Sequence, residues 1–423
     1  MKNRYDIINK KTPLKDMRMT VNEYIEKNLP STVRYRPCDE PPFFALPNPY
    51  NVPCAEGMFQ EMYYWDTYFT NIGHLIDGNL EQARWNVENL AAMAERFGFV
   101  LNGNREEFLN NSQPPFLSQA VREVYEVTRD LIWLGKMRSA VCKEYEFYTD
   151  RMGTELGLSR YDAVTPISEE QIKRGAELMI QRMGYRPDVS EYDLARGLFA
   201  VGESGWDVNP RMTYRAYEII PVELNALLYS MEMNMAYFAG ELGEGAEEIL
   251  WNNRAKKRAE LCRTYLCGND GIFHDYDLSK KERTDTVSAA LFYPMYFGML
   301  SEDEAQSLVN KALPILETDY GILTCERMDH VRGNFQWGYP NGWPPMQIIA
   351  VGGLLRYGYT EDARRVAAKF LSLIEKCFRD TEHLWEKYDV VEGSANALAE
   401  YETPAMLGWT YGAYRYLGKI LSK

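Results

Sequence analysis

The sequence predicts an all-α protein, with one large domain over residues 1–423 built as a toroid of helical hairpins whose polar loops gather on one face. Three observations lead to this prediction. Apolar residues recur at helical spacing in successive segments, which are joined by short turns and by longer loops rich in Trp, Pro and acidic residues. No stretch of alternating apolar and polar residues indicates a strand. No low-complexity linker divides the chain, although its length exceeds that of most single domains.

In the first half of the chain, helical patterns alternate with polar or Pro-rich segments. Residues 1–50 are predicted to be irregular apart from one short helix. Residues 149–201 are also expected to be mostly irregular and polar. The helices predicted in this half lie at about 20–28, around 72, at 79–97, in a hairpin over 116–148, and at 168–183. The helix over 79–97 is the clearest, because Leu80, Ala83, Val87, Leu90 and Met93 recur at helical spacing.

The second half of the chain has a more regular succession of helical pairs. Ser301 is followed by three acidic residues, which is typical of a helix N-terminus. A helix is also expected to begin around Arg211, so Asp207 could act as its cap and Trp206 as a packing residue. The other helices are expected at 222–240, 245–266, 285–300, 301–316, 346–357, 361–378 and 410–421.

The composition excludes several classes of partner. The formal net charge is −14, whereas binding to nucleic acid or to an anionic membrane surface needs a basic surface. No apolar run is long enough to span a membrane. Hydrophobic residues make up 46% of the chain, which suits a soluble protein with a sizeable core. The oligomeric state is left open by the sequence.

The cysteines and histidines bear on compartment and cofactors. The seven cysteines are scattered, and residues 1–6 lack the apolar core of a signal peptide. We therefore expect free thiols and a cytoplasmic location. There are only four His and no Cys/His ligand spacing, so we expect neither a metal nor a cofactor.

Carboxylates stand beside aromatic residues in four of the loops. These acids are Asp66, Asp207, Glu386 with Asp389, and Glu400. Two carboxyl groups are the minimum equipment for glycoside hydrolysis, and aromatic faces suit sugar rings. Five of the nine tryptophans also fall in short polar stretches: Trp65, Trp206, Trp337, Trp343 and Trp409. Taken alone, Asp66 could instead cap a helix and Asp389 could pair with Lys387.

Five loop segments together resemble the signature segments of the trehalase family of glycoside hydrolases. They are FQEMYYWDTYF, NGNREEF with SQPP, ESGWDVNPR, FQWGYPNGWPP, and EKYDVVEG with EYETPAMLGWTYG. They occur in the family's order from residue 59 to residue 412. The resemblance implies an (α/α)6 barrel and hydrolysis of an α-glucosidic bond with inversion, in trehalose or a related small glucoside. A small-molecule sugar is accordingly the expected partner.

The resemblance also implies roles for individual residues. Asp207 would be the general acid and Glu400 the general base, about 6.5–9.5 Å apart as in inverting enzymes. Arg186 matches a sugar-binding arginine of the family only with an extra residue before Glu191. The residues expected to bind substrate are Phe59, Tyr64, Trp65, Asp66, Asn102, Gln113, Arg186, Gly205, Trp337 and Trp409.

The chain departs from the family pattern at several positions. Met58 and Asn111 stand where the family's PGGRF and RSQPP segments have arginine, and Gly338 replaces a usual Asp. The glycine run before the base is replaced by residues 393–399. The leaving-group side of the pocket therefore has fewer cations. We expect the protein to hydrolyse trehalose weakly relative to some other α-glucoside, because hydroxyl-specific sites discriminate through buried polar pairs.

Two other classes of function compete with a hydrolase. The first is a carbohydrate-binding relative that keeps the barrel and the aromatic pocket but does not turn over. The altered arginines favour it, whereas retention of both carboxylates opposes it. The second is a helical scaffold acting through protein contacts, which leaves the Trp-rich loops unexplained.

Overall fold

The computed structural model describes residues 19–164 and 166–422, and most of this chain is helical. The predicted all-α class is confirmed. No helix among these residues is both long and apolar enough to cross a membrane. The α-helices are α1 Val21–Asn28, α2 Tyr64–Asp77, α3 Leu80–Phe97, α4 Leu117–Thr128, α5 Leu131–Glu146, α6 Glu169–Met183, α7 Glu191–Glu203, α8 Val222–Glu241, α9 Gly245–Tyr265, α10 Phe292–Tyr296, α11 Glu302–Lys311, α12 Leu313–Leu316, α13 Pro344–Arg356, α14 Thr360–Thr381 and α15 Gly408–Leu421.

In the part of the chain that the structure describes, every strand is a two-residue segment that joins one loop to another. β1 Val33–Arg34 pairs with β2 Tyr50–Asn51, and β6 Asn341–Gly342 pairs with β7 Tyr388–Asp389. A three-stranded ribbon has the order β3 Ile219–Ile220, β4 Tyr276–Asp277 and β5 Glu282–Arg283. All these pairs are antiparallel.

Six helices form a closed inner ring. In chain order α2, α4, α8, α10, α13 and α15 each contact the next, and α15 returns to contact α2. The helices α3, α5, α9 and α14 each follow an inner helix and pack against it. This arrangement is the (α/α)6 barrel that the resemblance implied. That the whole chain forms one domain stays a prediction.

Burial separates the inner helices from the outer ones. In α8, 15 of the 20 residues are buried, whereas in its outer neighbour α9 only 5 of 21 are. A helix surrounded by other helices must be apolar nearly all round, and an outer helix needs only one apolar stripe. The helix α14 has such a stripe, which includes Val366, Phe370, Leu373 and Ile374.

Most helix boundaries match the predicted ones, including the N-terminus at Ser301. Its hydroxyl accepts from the backbone of Glu304, whose carboxylate accepts from the backbone of Ser301. The helix expected over 285–300 is wrong, because only a 3-10 turn at Ala289–Leu291 and the short α10 form there. Pro294 lies in the first turn of α10, where proline is tolerated but keeps the helix from extending further toward the N-terminus, and Gly298 ends it in a left-handed conformation.

Two further predictions about the chain before α8 are wrong. The segment 149–201 contains α7, which begins where the Ser190 hydroxyl accepts from the backbone N–H of Asp193. No helix begins at Arg211, because residues there form turns and the next helix starts at Val222. The Asn209 carboxamide accepts from the backbone of Met212, as a helix cap would, but Thr213 follows with a φ of +51°, which is incompatible with a right-handed helix.

Candidate active site

One cavity of about 280 Å³ lies where several inner helices begin. Its lining includes residues at or just before the N-termini of α2, α4, α13 and α15, and residues of the α6–α7 hairpin. Helix N-termini carry a partial positive charge, which favours carboxylates in such a place. The lining residues are Phe59, Tyr63, Trp65, Asp66, Asn102, Glu107, Phe108, Asn111, Gln113, Leu178, Arg182, Leu198, Phe199, Gly202, Gly205, Asp207, Trp337, Trp343, Glu386, Tyr401, Met406 and Trp409.

Asp207 and Glu400 are joined through one guanidinium. Arg182 Nη1 lies 3.6 Å from Asp207 Oδ1, and Arg182 Nε lies 3.3 Å from Glu400 Oε2. The side chain of Glu400 is only 4% exposed, whereas that of Asp207 is 28% exposed toward the cavity. The ring therefore brings two carboxyl groups that are remote in sequence to one cation.

Asp207 sits in a strained turn between α7 and α8. Its φ is +44°, a left-handed conformation that costs about 1–2 kcal/mol for a residue with a Cβ. Gly205 has a φ of +73°, and a Cβ there would lie 2.8 Å from the indole of Trp65. The glycine is thus required both by its conformation and by close approach to the cavity wall. The Asp207 carboxylate also accepts a 3.4 Å hydrogen bond from the Gln336 amide.

Five tryptophans form one cluster beside the carboxylates. Trp337 stacks on Trp343 with ring centroids 3.7 Å apart and on Trp206 at 5.7 Å. Trp65 lies 5.6 Å from Trp337, and Trp409 meets Trp65 edge-on at 5.9 Å. These are the five tryptophans that occur in polar stretches of the sequence. Trp206 is buried behind this cluster, and the rings of the other four give the cavity a wall of the kind that packs against the C–H face of a sugar.

A further acidic residue, Glu386, lines the cavity and is nearly fully buried. Its carboxylate accepts from Lys387 Nζ at 2.5 Å and from the Tyr401 hydroxyl at 2.7 Å. The Trp409 indole N–H donates to the Glu386 carbonyl at 2.9 Å. Asp66 lies in the first turn of α2, whose N-cap is Tyr63, so Asp66 is not a helix cap. Its buried carboxyl faces the cavity.

The electrostatics of the cavity favour retention of protons. Burial, and then the charge of Asp207, raise the pKa of Glu400 to about 8, against the opposing effect of Arg182. Burial, followed by the nearby Glu386 charge, raises the pKa of Asp66 well above its ordinary value. Burial likewise raises the pKa of Glu386, with Lys387 opposing. Carboxyl groups that cannot all ionise together are suited to acid–base chemistry.

Most of the sequence-predicted site residues are brought together. Those that line the cavity are Phe59, Trp65, Asp66, Asn102, Gln113, Gly205, Asp207, Trp337 and Trp409. Glu400 is not among the lining residues, but its carboxylate lies within ion-pair distance of Arg182, which is. The Gln113 side chain also accepts from the backbone N–H of Trp65 at 3.1 Å, which fixes the start of α2.

Two predicted substrate-binding residues lie elsewhere. Tyr64 is fully buried outside the cavity lining, and its hydroxyl donates to Glu144 at 2.6 Å. Successive helical residues point in different directions, so Tyr63 and Trp65 face the cavity while Tyr64 faces the core. Arg186 is 55% exposed and lies 3.7 Å from Glu191. Gly184 ends α6 in a left-handed conformation, and Arg186 follows it outside the cavity.

Arg182 was missed by the sequence analysis. It belongs to the last turn of α6, on the same face as Leu178 one turn earlier, and both line the cavity. No family segment includes this helix, so the only available signal was the predicted helix over 168–183. The arginine that lines the cavity is therefore Arg182, whereas the resemblance had suggested Arg186.

The positions where the family has arginine differ in their surroundings. Met58 is 45% exposed and is not among the lining residues. Asn111 lines the cavity, and its amide donates to the Phe199 carbonyl at 2.7 Å while its oxygen accepts from Asn102 at 3.1 Å. The Asn111 side chain is thus engaged with the protein itself. Within the described residues, no group of three or more His, Cys, Asp or Glu is placed to hold a metal ion.

The chain matches proteins of one family along nearly its whole length. The family model described as trehalase matches residues 2–421. The periplasmic trehalase of Xanthomonas oryzae pv. oryzae is 31% identical over 93% of this chain and 72% of its own. The periplasmic trehalase of Xanthomonas axonopodis pv. citri is 30% identical with the same coverage.

Solved structures give the same fold. The neutral trehalase Nth1 from Saccharomyces cerevisiae superposes with a TM-score of 0.74 at 28% identity, over 92% of this chain and 76% of that one. The GH63 mannosylglycerate hydrolase from Thermus thermophilus, in complex with Tris and D-glycerate, has a TM-score of 0.63. It is 17% identical over 93% of this chain and 98% of its own, so it supports the fold alone.

The comparisons correct the expected location. Both Xanthomonas relatives are periplasmic trehalases, so the cytoplasmic prediction is wrong. It rested partly on residues 1–6, which lie outside the described residues, and partly on cysteines. All seven cysteines are free, and four of them are buried. Burial protects a thiol from oxidation in either compartment, so unpaired cysteines do not identify a reducing one.

Proposed function

This chain belongs to the trehalase family and is a glycoside hydrolase, and we propose that it cleaves trehalose or a closely related small α-glucoside with inversion. Asp207 is the general acid and Glu400 the general base. The observation that carries the proposal is that one arginine of the tryptophan-walled cavity, Arg182, lies within 3.6 Å of both carboxylates. The two acids come from the family's GWD and late Glu-Tyr segments.

The reaction needs one proton on the carboxyl pair. Asp207 donates it to the glycosidic oxygen, and Glu400 takes a proton from the water that attacks the anomeric carbon from the opposite face. In the free site, burial and then the charge of Asp207 raise the pKa of Glu400 to about 8, so this carboxyl group holds a proton near neutral pH. Catalysis needs the proton on Asp207 and Glu400 ionised, so the proton must pass from one carboxyl group to the other when the sugar binds.

The other residues hold the glucosyl unit that is cleaved. Trp65, Trp337 and Trp409 offer apolar faces, while Asp66 and Gln113 offer polar groups to hydroxyls. Glu386 is fixed by Lys387 and Tyr401, so its position at the cavity does not depend on substrate. Fixed polar groups of this kind lower the cost of binding, because they need not be ordered by the sugar. Tyr64 and Arg186 have no part in this proposal.

The stereochemistry of the product tests the mechanism. Trehalose cleaved with inversion gives equal amounts of α- and β-glucose at first, because only the attacked sugar inverts. Retention would give α-glucose alone. Proton NMR of the fresh product distinguishes these outcomes, and α-glucose alone would overturn the roles of both carboxyl groups. Binding of trehalose without release of any glucose would instead fit a non-hydrolysing relative.

A further inference from the structure

Arg211 is a buried charged residue four positions after Asp207. Its side chain is 1% exposed. The guanidinium donates through Nε and Nη2 to both oxygens of Asp275, with 2.9 Å between Nη2 and Oδ1, and through Nη2 to Glu223. A planar guanidinium is suited to such a two-pronged contact, and a lysine is not.

The partners of Arg211 tie it to the inner ring. Glu223 is in the first turn of α8, one of the six inner helices. Asp275 precedes β4 and also accepts a 2.9 Å hydrogen bond from the backbone N–H of Val222, at the start of the same helix. Both carboxylates are nearly fully buried, at 0% and 4% exposure. Arg211 therefore anchors its own loop to the N-terminus of α8.

The same guanidinium also contacts the residue next to the proposed acid. Its central carbon lies 4.9 Å from the ring centroid of Trp206, within the range of a cation–π interaction. The indole of Trp206 stacks on Trp337 as well. Trp206 is thus fixed on two sides, and Asp207 follows it directly in a left-handed conformation that needs such support.

A stability role alone accounts poorly for this cluster. A buried ion pair is often no more stabilising than apolar residues of the same volume, because both charges lose their hydration. Here the cluster fixes the turn that carries Asp207. Asn209 supports the same turn, since its amide donates to the Asp207 carbonyl at 3.0 Å.

We propose that Arg211 is a positioning residue that holds Asp207 in the geometry for proton donation, through Trp206 and the α8 anchor. This inference rests on the proposed role of Asp207 as the general acid. It predicts a loss of activity that depends on the leaving group. A misplaced acid slows substrates that need protonation, whereas a substrate with a good leaving group needs little of it.

The test compares kcat/KM on trehalose with kcat/KM on α-glucosyl fluoride. For Arg211→Gln we expect the ratio of the two values to fall by roughly tenfold or more, in the direction of Asp207→Asn, since small displacements of a catalytic group are costly. The ratio does not depend on the fraction of protein that is folded. If Arg211→Gln yields no soluble enzyme, Arg211→Lys replaces it in the test. This variant keeps the positive charge but loses the two-pronged contact of the guanidinium, and it should show the same selective loss.

Arg258 gives a matched control. It is a buried arginine on α9 that contacts Glu232 at 2.8–2.9 Å, away from the Asp207 loop. Arg258→Gln should lower stability and leave the ratio unchanged. A selective loss with Asp207→Asn but equal losses on both substrates with the Arg211 variants would overturn the inference and leave the acid assignment standing. If Asp207→Asn lost activity equally on both substrates, Asp207 would not be the general acid, and the inference about Arg211 would fail as well.

Discussion

At the scale of single residues, the charge state of the cavity depends on Arg182. Its guanidinium is the cation that Asp207 and Glu400 share, and its charge lowers the pKa of Glu400 against the larger effect of burial. The active form of the pair holds one proton. The value of kcat/KM should therefore fall on the alkaline side as that proton is lost, with an apparent pKa near 8.

Replacement of Arg182 should move the alkaline limb of the pH profile, where kcat/KM falls, to higher pH. Without the positive charge the carboxyl group holds its proton more tightly, so Arg182→Gln should shift the limb to higher pH by on the order of 1 unit. The measurement is kcat/KM on trehalose from about pH 5 to about pH 10, which spans both limbs of such a profile. Activity at the optimum should also fall, because the two carboxylates lose their common partner.

Arg186 provides the control for that experiment. It lies four residues further along the chain, is exposed and pairs with Glu191, so Arg186→Gln should keep the pH profile of the native enzyme. A limb that stays in place with Arg182→Gln, or that moves equally with Arg186→Gln, would contradict the assigned role of Arg182.

At the scale of elements, the α6–α7 hairpin adds a second apolar side to the cavity, apart from the wall of tryptophans. Leu178 on α6 and Leu198 and Phe199 on α7 line it, together with Arg182, which contacts Asp207. The leaving group departs on the side of the general acid, so this hairpin is placed to contact it. The Asn111 amide nearby donates to the Phe199 carbonyl, which leaves it less able to bind a hydroxyl of the leaving group.

An apolar wall should favour an apolar leaving group. Leu178 lines the cavity although 38% of it is exposed, so Leu178→Asn should leave folding intact. We expect this variant to lower kcat/KM on phenyl α-glucoside several-fold and to change kcat/KM on trehalose much less, because burial of each methylene contributes about 0.8 kcal/mol.

The matching control is Leu250→Asn on α9, where the leucine is 42% exposed and no residue lines the cavity. It should leave both substrates unaffected. Equal losses on phenyl α-glucoside and trehalose with Leu178→Asn would show that this side chain does not contact the leaving group selectively.

At the scale of the whole molecule, the barrel depends on the contact between its last helix and its first. The helix α15 packs directly against α2, and this contact closes the inner ring. Gly412 makes the close approach possible, because a Cβ at that position would lie 1.9 Å from the carbonyl oxygen of Phe69 on α2. Backbone atoms cannot move aside as a flexible side chain can, so the helices would have to separate.

Gly412→Ala should therefore destabilise the barrel, by about 1–3 kcal/mol as for other overpacked sites. Gly418→Ala on the same helix is the control, since a Cβ there meets no atom within 4 Å. That change should be neutral or stabilise by about 0.5–1 kcal/mol, because alanine is the better helix former. Urea unfolding of the two variants measures both effects, and similar free energies of unfolding would contradict the close packing of this seam.

The sequence by itself determined the local structure and the chemical class of the protein. Helical periodicity predicted most of the helices, since an amphipathic helix must present its apolar residues every three or four positions. The loop segments ESGWDVNPR and FQWGYPNGWPP indicated the family, because they combine acids and aromatic residues in an order that packing alone does not require. The clearest local error was the helix predicted over 285–300, where only the short α10 forms, although Pro294 offered a signal for this.

Only the tertiary structure decided which side chains meet. Closure of the ring places Asp207 and Glu400 around one cation, and no local pattern contains that contact. The same is true of Arg182, which reaches the cavity from α6, while Arg186 beyond Gly184 lies at the surface. Residues one turn apart have similar local sequence signals, but whether they face a cavity or solvent depends on how the helix packs. That packing is set by contacts distant in the chain, so it could not be predicted from spacing along the sequence.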